Sequence, residues 1–255
     1  MHTNSNTFLR FFIELSYFGK GYHGWQRQPN AVSIQQTLEE ALSTLMRNKI
    51  ELMGAGRTDA GVHAKQLFAH FDFEDAIDCP ELKRRLNAFL PEDIAIQQIF
   101  EVGVEAHARF DAIARSYEYW LVQDKSPFYK DSAHFIREPL DFEAMNKAAI
   151  YLLEHRDFEC FSKSNTDVKT YLCNIENAVW RIGDEKAVFH ITADRFLRNM
   201  VRAIVGTLLE IGLKRKPVEW MQHVLQSKDR SEAGVSVPAK GLYLTQVVYP
   251  DSIHI

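Results

Sequence analysis

The stretch Gly54-Ala55-Gly56-Arg57-Thr58-Asp59-Ala60-Gly61-Val62-His63-Ala64 places three glycines, an arginine and an aspartate in one short loop. Glycines at this density let the backbone turn sharply and let a ligand approach closely. Arg57 and Asp59 stand two residues apart, so each can hold the other or a ligand. An aspartate held in such a turn is a candidate nucleophile or general base.

Two other interpretations of this loop follow from its residue types. In the first, Asp59 caps its own turn and Arg57 is a solvated neighbour, as is common in glycine-rich turns. In the second, Gly54 and Gly56 begin a nucleotide-binding turn, but Asp59 stands where the third glycine belongs. A strand pattern also follows the loop, whereas phosphate binding needs a helix N-terminus there. Taken alone, the loop favours the capping turn.

Hydrophobic patterns around the loop predict strands and helices in two similar units. Alternating apolar residues indicate strands, and apolar residues three and four apart indicate helices. Ser33 and Gln36 form a capping box that begins the first helix, and Pro80 begins the second. The first unit has predicted strands at 9–17, 49–53, 66–73 and 94–102. The second has predicted strands at 115–123, 171–182, 187–193 and 242–249, with helices at 141–154, 196–211 and 217–226.

Both units therefore follow the order β-α-β-β-α-β, and the second contains one additional helix. This order is that of the split βαβ, ferredoxin-like fold. We predict an α+β protein of two ferredoxin-like, RNA-recognition-like halves, whose antiparallel sheets flank a central catalytic cleft. Residues 1–108 would carry the aspartate loop, and residues 109–255 the tyrosine strand and the arginine-rich helix.

Composition and charge narrow the class of protein. The chain has 255 residues, 46% of them hydrophobic, and a formal charge of -4, so only a local basic surface could bind nucleic acid. Three scattered cysteines, at 79, 160 and 173, are interpreted as packing residues in a reduced cytoplasm. We find no signal peptide, no membrane-length apolar run and no metal-binding histidine spacing, so we expect a cytoplasmic protein without membrane or metal.

Three arginines form a second candidate site. Arg195, Arg198 and Arg202 are spaced by three and four, so a helix beginning at Phe196 would place them on one face. Such a stripe near a helix N-terminus suits phosphate, although a solvated face is the alternative. The opposite face would be the core stripe of Leu197, Val201, Ile204, Val205 and Leu208.

Aromatic residues mark two further candidates. The loop at 18–29 contains Trp25, Gln26 and Arg27, which could stack on bases and contact phosphates or could fold under as packing. Tyr117 and Tyr119 alternate on a strand and would share one face. Such a pair can stack on bases, but more often belongs to the core.

Together these motifs resemble the TruA-type tRNA pseudouridine synthases over essentially the whole chain. The glycine loop resembles the signature loop of that family, and Asp59 falls at its catalytic aspartate. Four other blocks match in the same order: Gly24–Gln28, Arg115–Tyr117, Met200–Gly206 and Pro238–Leu242. Three places depart from the pattern, namely Asp194-Arg195, the segment at 169–172 and Val237; the first two put particular RNA contacts in question, not the chemistry.

The resemblance implies an isomerase that converts uridine to pseudouridine at positions 38, 39 or 40 of tRNA, as a homodimer and without a cofactor. Asp59 would be the nucleophile or base. Three routes are compatible with the sequence: attack at the sugar C1′, attack at the ring C6, and elimination to a glycal. Tyr117 would stack on the extruded uracil and Leu242 would close the other apolar side of the pocket. Arg57 and Arg202 would keep Asp59 charged. The further RNA contacts expected are Trp25, Gln26, Arg27, Arg195 and Arg198.

Two functions from other classes compete with this one. A non-catalytic RNA-binding module could share the fold, but Asp59 and Tyr117 are both intact. A glycoside hydrolase would also cleave a glycosidic bond, but such enzymes use paired carboxylates and the loop offers Asp59 alone. Release of tritium from uracil C5, without free uracil, would separate isomerisation from both.

Overall fold

The structure, a computed structural model, describes residues 8–163 and 169–253. The chain divides into two compact units, Met1–Ile113 with Gln246–Ile255 and Ala114–Thr245. Each unit combines helices with mostly antiparallel strands, so the predicted α+β class is confirmed. The functional halves expected at 1–108 and 109–255 stay a prediction.

The first unit contains four strands and two helices in the predicted order. They are β1 (Leu9–Tyr17), α1 (Ile34–Met46), β2 (Met53–Gly54), β3 (His63–Phe73), α2 (Cys79–Phe89) and β4 (Ile94–Val102). The strand order is β4-β1-β3, and β2 pairs with β3. All three pairings are antiparallel. Strand β3 begins at His63, three residues before the expected start, so it starts directly at the end of the glycine loop.

Side-chain caps fix where these helices begin. Gln36 donates its backbone N–H to Ser33 Oγ at 3.3 Å, which confirms the cap of α1. The side chain of Gln36 donates to Glu40 instead of returning to Ser33, so the capping box is half formed. Ile34, Leu38 and Leu42 are fully buried, as the helical spacing predicts.

The core of the first unit lies on both faces of β1. Phe11 stacks on Phe71, while Phe12 packs edge-on to Tyr249 near the end of the chain. The neighbouring side chains Ile13 and Leu15 are also fully buried. β1 therefore behaves as a central strand, and Tyr249 completes its core.

The second unit contains the remaining strands and helices. They are β5 (Ala114–Val122), β6 (His134–Phe135), α3 (Phe142–Leu153), β7 (Ile175–Ile182), β8 (Ala187–Ala193), α4 (Met200–Gly212), α5 (Trp220–Ser227) and β9 (Leu242–Val248). The strand order is β9-β5-β8-β7. The short β6 pairs in parallel with β5 and was not expected from the sequence. β9 begins in this unit, and from Gln246 its residues belong to the first.

Helix α4 begins four residues later than the sequence predicts. Asn199 has a left-handed backbone with φ 67°, and the N–H of Met200 donates to Leu197 in a turn. A left-handed residue interrupts a right-handed helix, so α4 starts only at Met200. The predicted core stripe from Leu197 to Leu208 is nevertheless buried.

Gly212 directly follows the helix predicted at 196–211, where a glycine is expected to cap the helix, but its role is different. It is the last residue of α4, and a Cβ there would lie 2.4 Å from Sδ of Met145 on α3. The left-handed residue after the helix is Lys214, with φ 58°. Gly212 therefore allows α4 to approach α3 rather than reversing the chain.

Two further findings concern the cysteines and the helices. Cys160 and Cys173 are buried and reduced, and burial raises the pKa of each thiol to about 12, consistent with packing residues. No helix within residues 8–163 and 169–253 is long and apolar enough to cross a membrane.

Candidate active site

The glycine loop joins β2 to β3 in the first unit and presents Asp59 half-buried and Arg57 exposed. The carbonyl of Asp59 accepts the N–H of Val62 at 3.1 Å, which closes a turn. Gly61 lies inside that turn with φ 77°, a conformation that favours glycine. Its N–H donates to the carbonyl of Tyr22 at 3.2 Å. These two backbone hydrogen bonds therefore hold the turn on which Asp59 lies.

Thr58 anchors the residue directly before Asp59. Its hydroxyl accepts the N–H of Trp25 at 3.1 Å and is bonded to the hydroxyl of Tyr17 at 2.8 Å. Tyr17 is the last residue of β1, which the sheet holds in place. Asp59 is therefore positioned by a strand on one side and by its own turn on the other.

Trp25 is buried, with 1% of its surface exposed. A Cβ at Gly54 would lie 2.3 Å from its indole Nε1, so the ring fills the space that glycine leaves. In this position the ring supports the start of the glycine loop. The expected stacking of Trp25 on RNA stays a prediction, and it requires the ring to move.

Gln26 and Arg27 are exposed but anchored to α1. The side-chain oxygen of Gln35 accepts from the side chain of Gln26 and from the backbone N–H of Arg27, each at 2.9 Å. Arg27 also donates to the buried carboxylate of Glu39 at 3.1 Å. Glu39 in turn accepts the N–H of Leu52 at 3.1 Å, just before the glycine loop.

Sequence reasoning did not single out Gln35 and Glu39. They are buried polar residues four apart on α1, and their side chains bond each other at 2.9 Å. A glutamine and a glutamate beside the apolar stripe of an amphipathic helix would have been the signal. His63 was also missed as an anchor: its Nδ1 accepts the N–H of Gly19 at 2.9 Å and its ring stacks on Phe18.

In the second unit, the two strand tyrosines have different environments. Tyr117 is half-buried, and its ring meets Phe196 edge-on with centroids 5.1 Å apart. Tyr119 is fully buried, and its hydroxyl donates to the carbonyl of Pro238 at 2.9 Å. Tyr119 is therefore a core residue, and Tyr117 is the one that remains a candidate for stacking.

Arg202 is the only one of the three arginines that lies on α4. Its Nε donates to the carbonyl of Val237 at 2.8 Å. Arg195 and Arg198 precede the helix, because the left-handed Asn199 separates them from it. The predicted stripe of three arginines on one helical face is therefore wrong, although each arginine remains a candidate phosphate contact.

Leu242 begins β9 and is buried, with 6% of its surface exposed. It follows the short helix Ala239–Gly241. In the part of the chain that the structure describes, no group of three His, Cys, Asp or Glu side chains could hold a metal ion.

Comparison with known proteins places this loop in a family. The sequence matches the tRNA pseudouridine synthase family over residues 15–111 and 148–250, which include Asp59 and Arg202. The chain belongs to this family. Membership of the tRNA pseudouridine synthase family indicates an isomerase that acts on tRNA.

Individual relatives agree with that assignment. The chain is 51% identical to tRNA pseudouridine synthase A of Parabacteroides distasonis, over 96% of this chain and 97% of the relative. It is 49% identical to the protein of the same name from Bacteroides fragilis, over 96% of this chain and 98% of the relative. For the protein of that name from Bacteroides thetaiotaomicron, the identity is 50% over 96% of this chain and 92% of the relative. These tRNA pseudouridine synthases align with nearly the whole chain.

Proposed function

We propose that this protein isomerises uridine to pseudouridine in the anticodon stem-loop of tRNA, at position 38, 39 or 40. The observation that supports it best is the glycine loop of a tRNA pseudouridine synthase, which holds Asp59 half-buried between two anchors. A carboxylate on a rigid turn suits a reaction in which one atom must be placed accurately against a base.

The proposed reaction exchanges one bond to the sugar for another. The N1–C1′ bond breaks, the uracil rotates, C5 bonds to C1′, and C5 gives up its proton while N1 gains one. Asp59 acts as nucleophile or base in this sequence, at C1′, at C6 or by elimination to a glycal. Tyr117 stacks on the uracil and Leu242 closes the apolar side of its pocket. Arg57 and Arg202 provide positive charge beside the reacting groups.

Reaching the base requires taking it out of its stack, at a cost of about a few kcal/mol. Contacts between cations and phosphates would offset that cost. We propose the exposed Arg27 and Arg198, with Gln26 and Arg195, for these contacts. Trp25 contributes by supporting the loop from its buried position.

We propose further that each unit is a ferredoxin-like half and that the enzyme works in the cytoplasm as a homodimer. The strand orders β4-β1-β3, with β2 beyond β3, and β9-β5-β8-β7 support the first point. In both, the first and third strands of the β-α-β-β-α-β unit are central. The first half would supply Asp59, and the second Tyr117 and Arg202.

The experiment is incubation with tRNA that carries tritium at uracil C5. Isomerisation releases tritium to water without free uracil, whereas hydrolysis releases free base. Transcripts with a single labelled uridine at position 38, 39 or 40 identify the site. Binding without tritium release from any transcript would favour the non-catalytic RNA-binding alternative and overturn the proposed activity.

A further inference from the structure

Arg202 lies on α4 and is held by the loop at residues 230–237, which packs against the same helix. The backbone of Val237 makes two bonds to Arg202: its carbonyl accepts from Nε at 2.8 Å, and its N–H donates to the carbonyl of Arg202 at 3.2 Å. The direction of the Arg202 side chain therefore depends on where the backbone of Val237 lies. The same loop leads, through Pro238, to Leu242.

Two glycines bring this loop into direct contact with α4. A Cβ at Gly206 would lie 1.9 Å from the carbonyl oxygen of Val235, and one at Gly234 would lie 2.5 Å from the backbone of Gly206. Gly206 is four residues after Arg202, so the contact lies on the same face of the helix. The N–H of Gly234 donates to the hydroxyl of Thr207 at 2.9 Å, which secures the loop at this point.

The side chain of Arg230 holds the loop at 230–237 together by hydrogen bonds to three of its residues. Its Nη1 donates to the carbonyls of Ala233 and Gly234, each at 3.3 Å, and its Nη2 donates to Ser236 Oγ at 2.9 Å. Asn199, at the start of α4, donates to the same hydroxyl at 2.6 Å. One half-buried guanidinium thus joins three loop residues. Two of them are also tied to the helix that carries Arg202: Gly234 to Thr207, and Ser236 to Asn199 at its N-terminus.

We infer that Arg230 is a positioning residue for Arg202, acting through the loop at 230–237. This inference rests on the proposed function, in which Arg202 lies beside the reacting groups. Charged donors make stronger hydrogen bonds than neutral ones, and the planar guanidinium fixes three acceptors at once. Without the guanidinium of Arg230, the carbonyls of Ala233 and Gly234 lose its hydrogen bonds, and the backbone of Val237 can shift relative to Arg202.

The test compares Arg230→Ala and Arg230→Lys with Arg215→Ala. Arg215 is an exposed arginine of the same unit whose side chain bonds Glu210 at 3.1 Å, so it controls for loss of a positive charge. We expect Arg230→Ala to lower kcat for tritium release by about 10- to 100-fold, since small misplacements cost this much. KM for tRNA should stay within about twofold, because the guanidinium of Arg230 bonds residues of the loop and is not proposed to contact the tRNA. Arg230→Lys should recover little of the rate, because the ammonium of lysine lacks the planar set of donors with which the guanidinium bonds three acceptors.

Two readouts separate positioning from general loss of structure. Added methylguanidinium should raise kcat of Arg230→Ala and leave that of Arg215→Ala unchanged. Amide hydrogen exchange at Gly234 and Val237 should be faster in Arg230→Ala than in Arg215→Ala. If Arg230→Ala does not fold, Ser236→Ala removes the bonds of Ser236 to Arg230 and Asn199 and keeps those of Arg230 to Ala233 and Gly234. This variant should show a smaller loss of kcat with the same faster exchange.

The inference is overturned by wild-type kcat in folded Arg230→Ala, or by unchanged exchange at Gly234 and Val237. Failure of the proposed function is a separate result: the wild-type protein would then release no tritium at all. In that case the exchange measurement still decides whether Arg230 braces the loop.

Discussion

The position of Asp59 is set by contacts of its neighbours. Thr58 is bonded to Trp25 and to Tyr17, the N–H of Val62 closes the turn on the carbonyl of Asp59, and Gly61 ties that turn to Tyr22. These bonds involve backbone groups and the side chains of Thr58 and Tyr17, and the substitution Asp59→Asn leaves each of these groups in the chain. The aspartate can therefore be tested for chemistry separately from folding.

Asp59→Asn should abolish tritium release while leaving tRNA affinity within about twofold, because binding depends on many dispersed contacts. The amide keeps the size of the side chain but cannot act as nucleophile or base. Affinity would be measured by filter binding and chemistry by tritium release. Asp75→Asn, at an exposed aspartate after β3, is the matched control and should retain activity. Turnover by Asp59→Asn at a substantial fraction of the wild-type rate would return the loop to a structural turn.

Gly54 is required by the ring of Trp25. Gly54→Ala should lower the free energy of unfolding by about 1–3 kcal/mol, as overpacking does, because the added Cβ would lie 2.3 Å from the indole. Gly56→Ala is the matched control, since a Cβ there meets nothing within 4 Å. Thermal unfolding of the two variants checks this prediction, which equal stabilities would contradict.

At the scale of single elements, the segment after β4 depends on neutral histidines. Nδ1 of His70 accepts the N–H of Ala108 at 3.1 Å, and Nδ1 of His107 accepts the N–H of Arg109 at 3.1 Å. Burial lowers the pKa of His70 to about 4, with smaller contributions from Arg10 and His107 that Asp72 and Asp111 oppose. Burial also lowers the pKa of His107. Both acceptors are lost when the rings are protonated.

Stability should therefore fall in mild acid. Between about pH 6.5 and pH 4 the unfolded chain binds a proton at His70 that the folded chain does not, so stability present at neutral pH is lost as the pH falls. We expect a loss of about 1–3 kcal/mol over this range for the wild type. Urea unfolding at pH 7, 5.5 and 4.5 measures it. His70→Asn keeps an acceptor without the titrating ring, so its stability should depend less on pH; an identical dependence would refute the assignment.

Helix α4 shows which parts of an element can be read from sequence. The buried residues from Leu197 to Leu208 were predicted, because apolar spacing reports the face that packs. The start of the helix was not, because the left-handed conformation of Asn199 has no strong signature. The error mattered for the site, since it had aligned Arg195 and Arg198 with Arg202. The role of Gly212 was wrongly predicted for a similar reason. Its packing against Met145 joins residues that are far apart in the sequence, and local spacing does not report such a contact.

At the scale of the whole molecule, the order of the elements was predictable and the supporting contacts were not. Strand β4 and strand β8 occupy the predicted residues, because alternation of apolar side chains is local information. The brace of Arg230 on Ser236 and the buried pair of Gln35 and Glu39 depend on tertiary approach, which periodicity does not encode. The glycine loop could be recognised because its residues are contiguous.

Binding of tRNA should be salt-dependent although the chain carries a charge of -4. Exposed arginines such as Arg198 would contact phosphates, and each such contact releases counterions. Arg198→Ala should weaken affinity and reduce the slope of log affinity against log salt by about one. Arg181→Ala, another exposed arginine of the second unit, is the control and should leave the slope unchanged. A flat salt dependence for the wild type and for Arg198→Ala would contradict the idea.

The last strand has a consequence for biosynthesis. Because β9 starts in the second unit and enters the first at Gln246, the first unit contains residues that the ribosome makes after the entire second unit. Among them is Tyr249, whose ring packs on Phe12 and whose hydroxyl donates to Ala108 at 2.6 Å. The nascent first unit therefore lacks part of its core throughout translation of the second. The core of the first unit can therefore be completed only after the second unit has been synthesised.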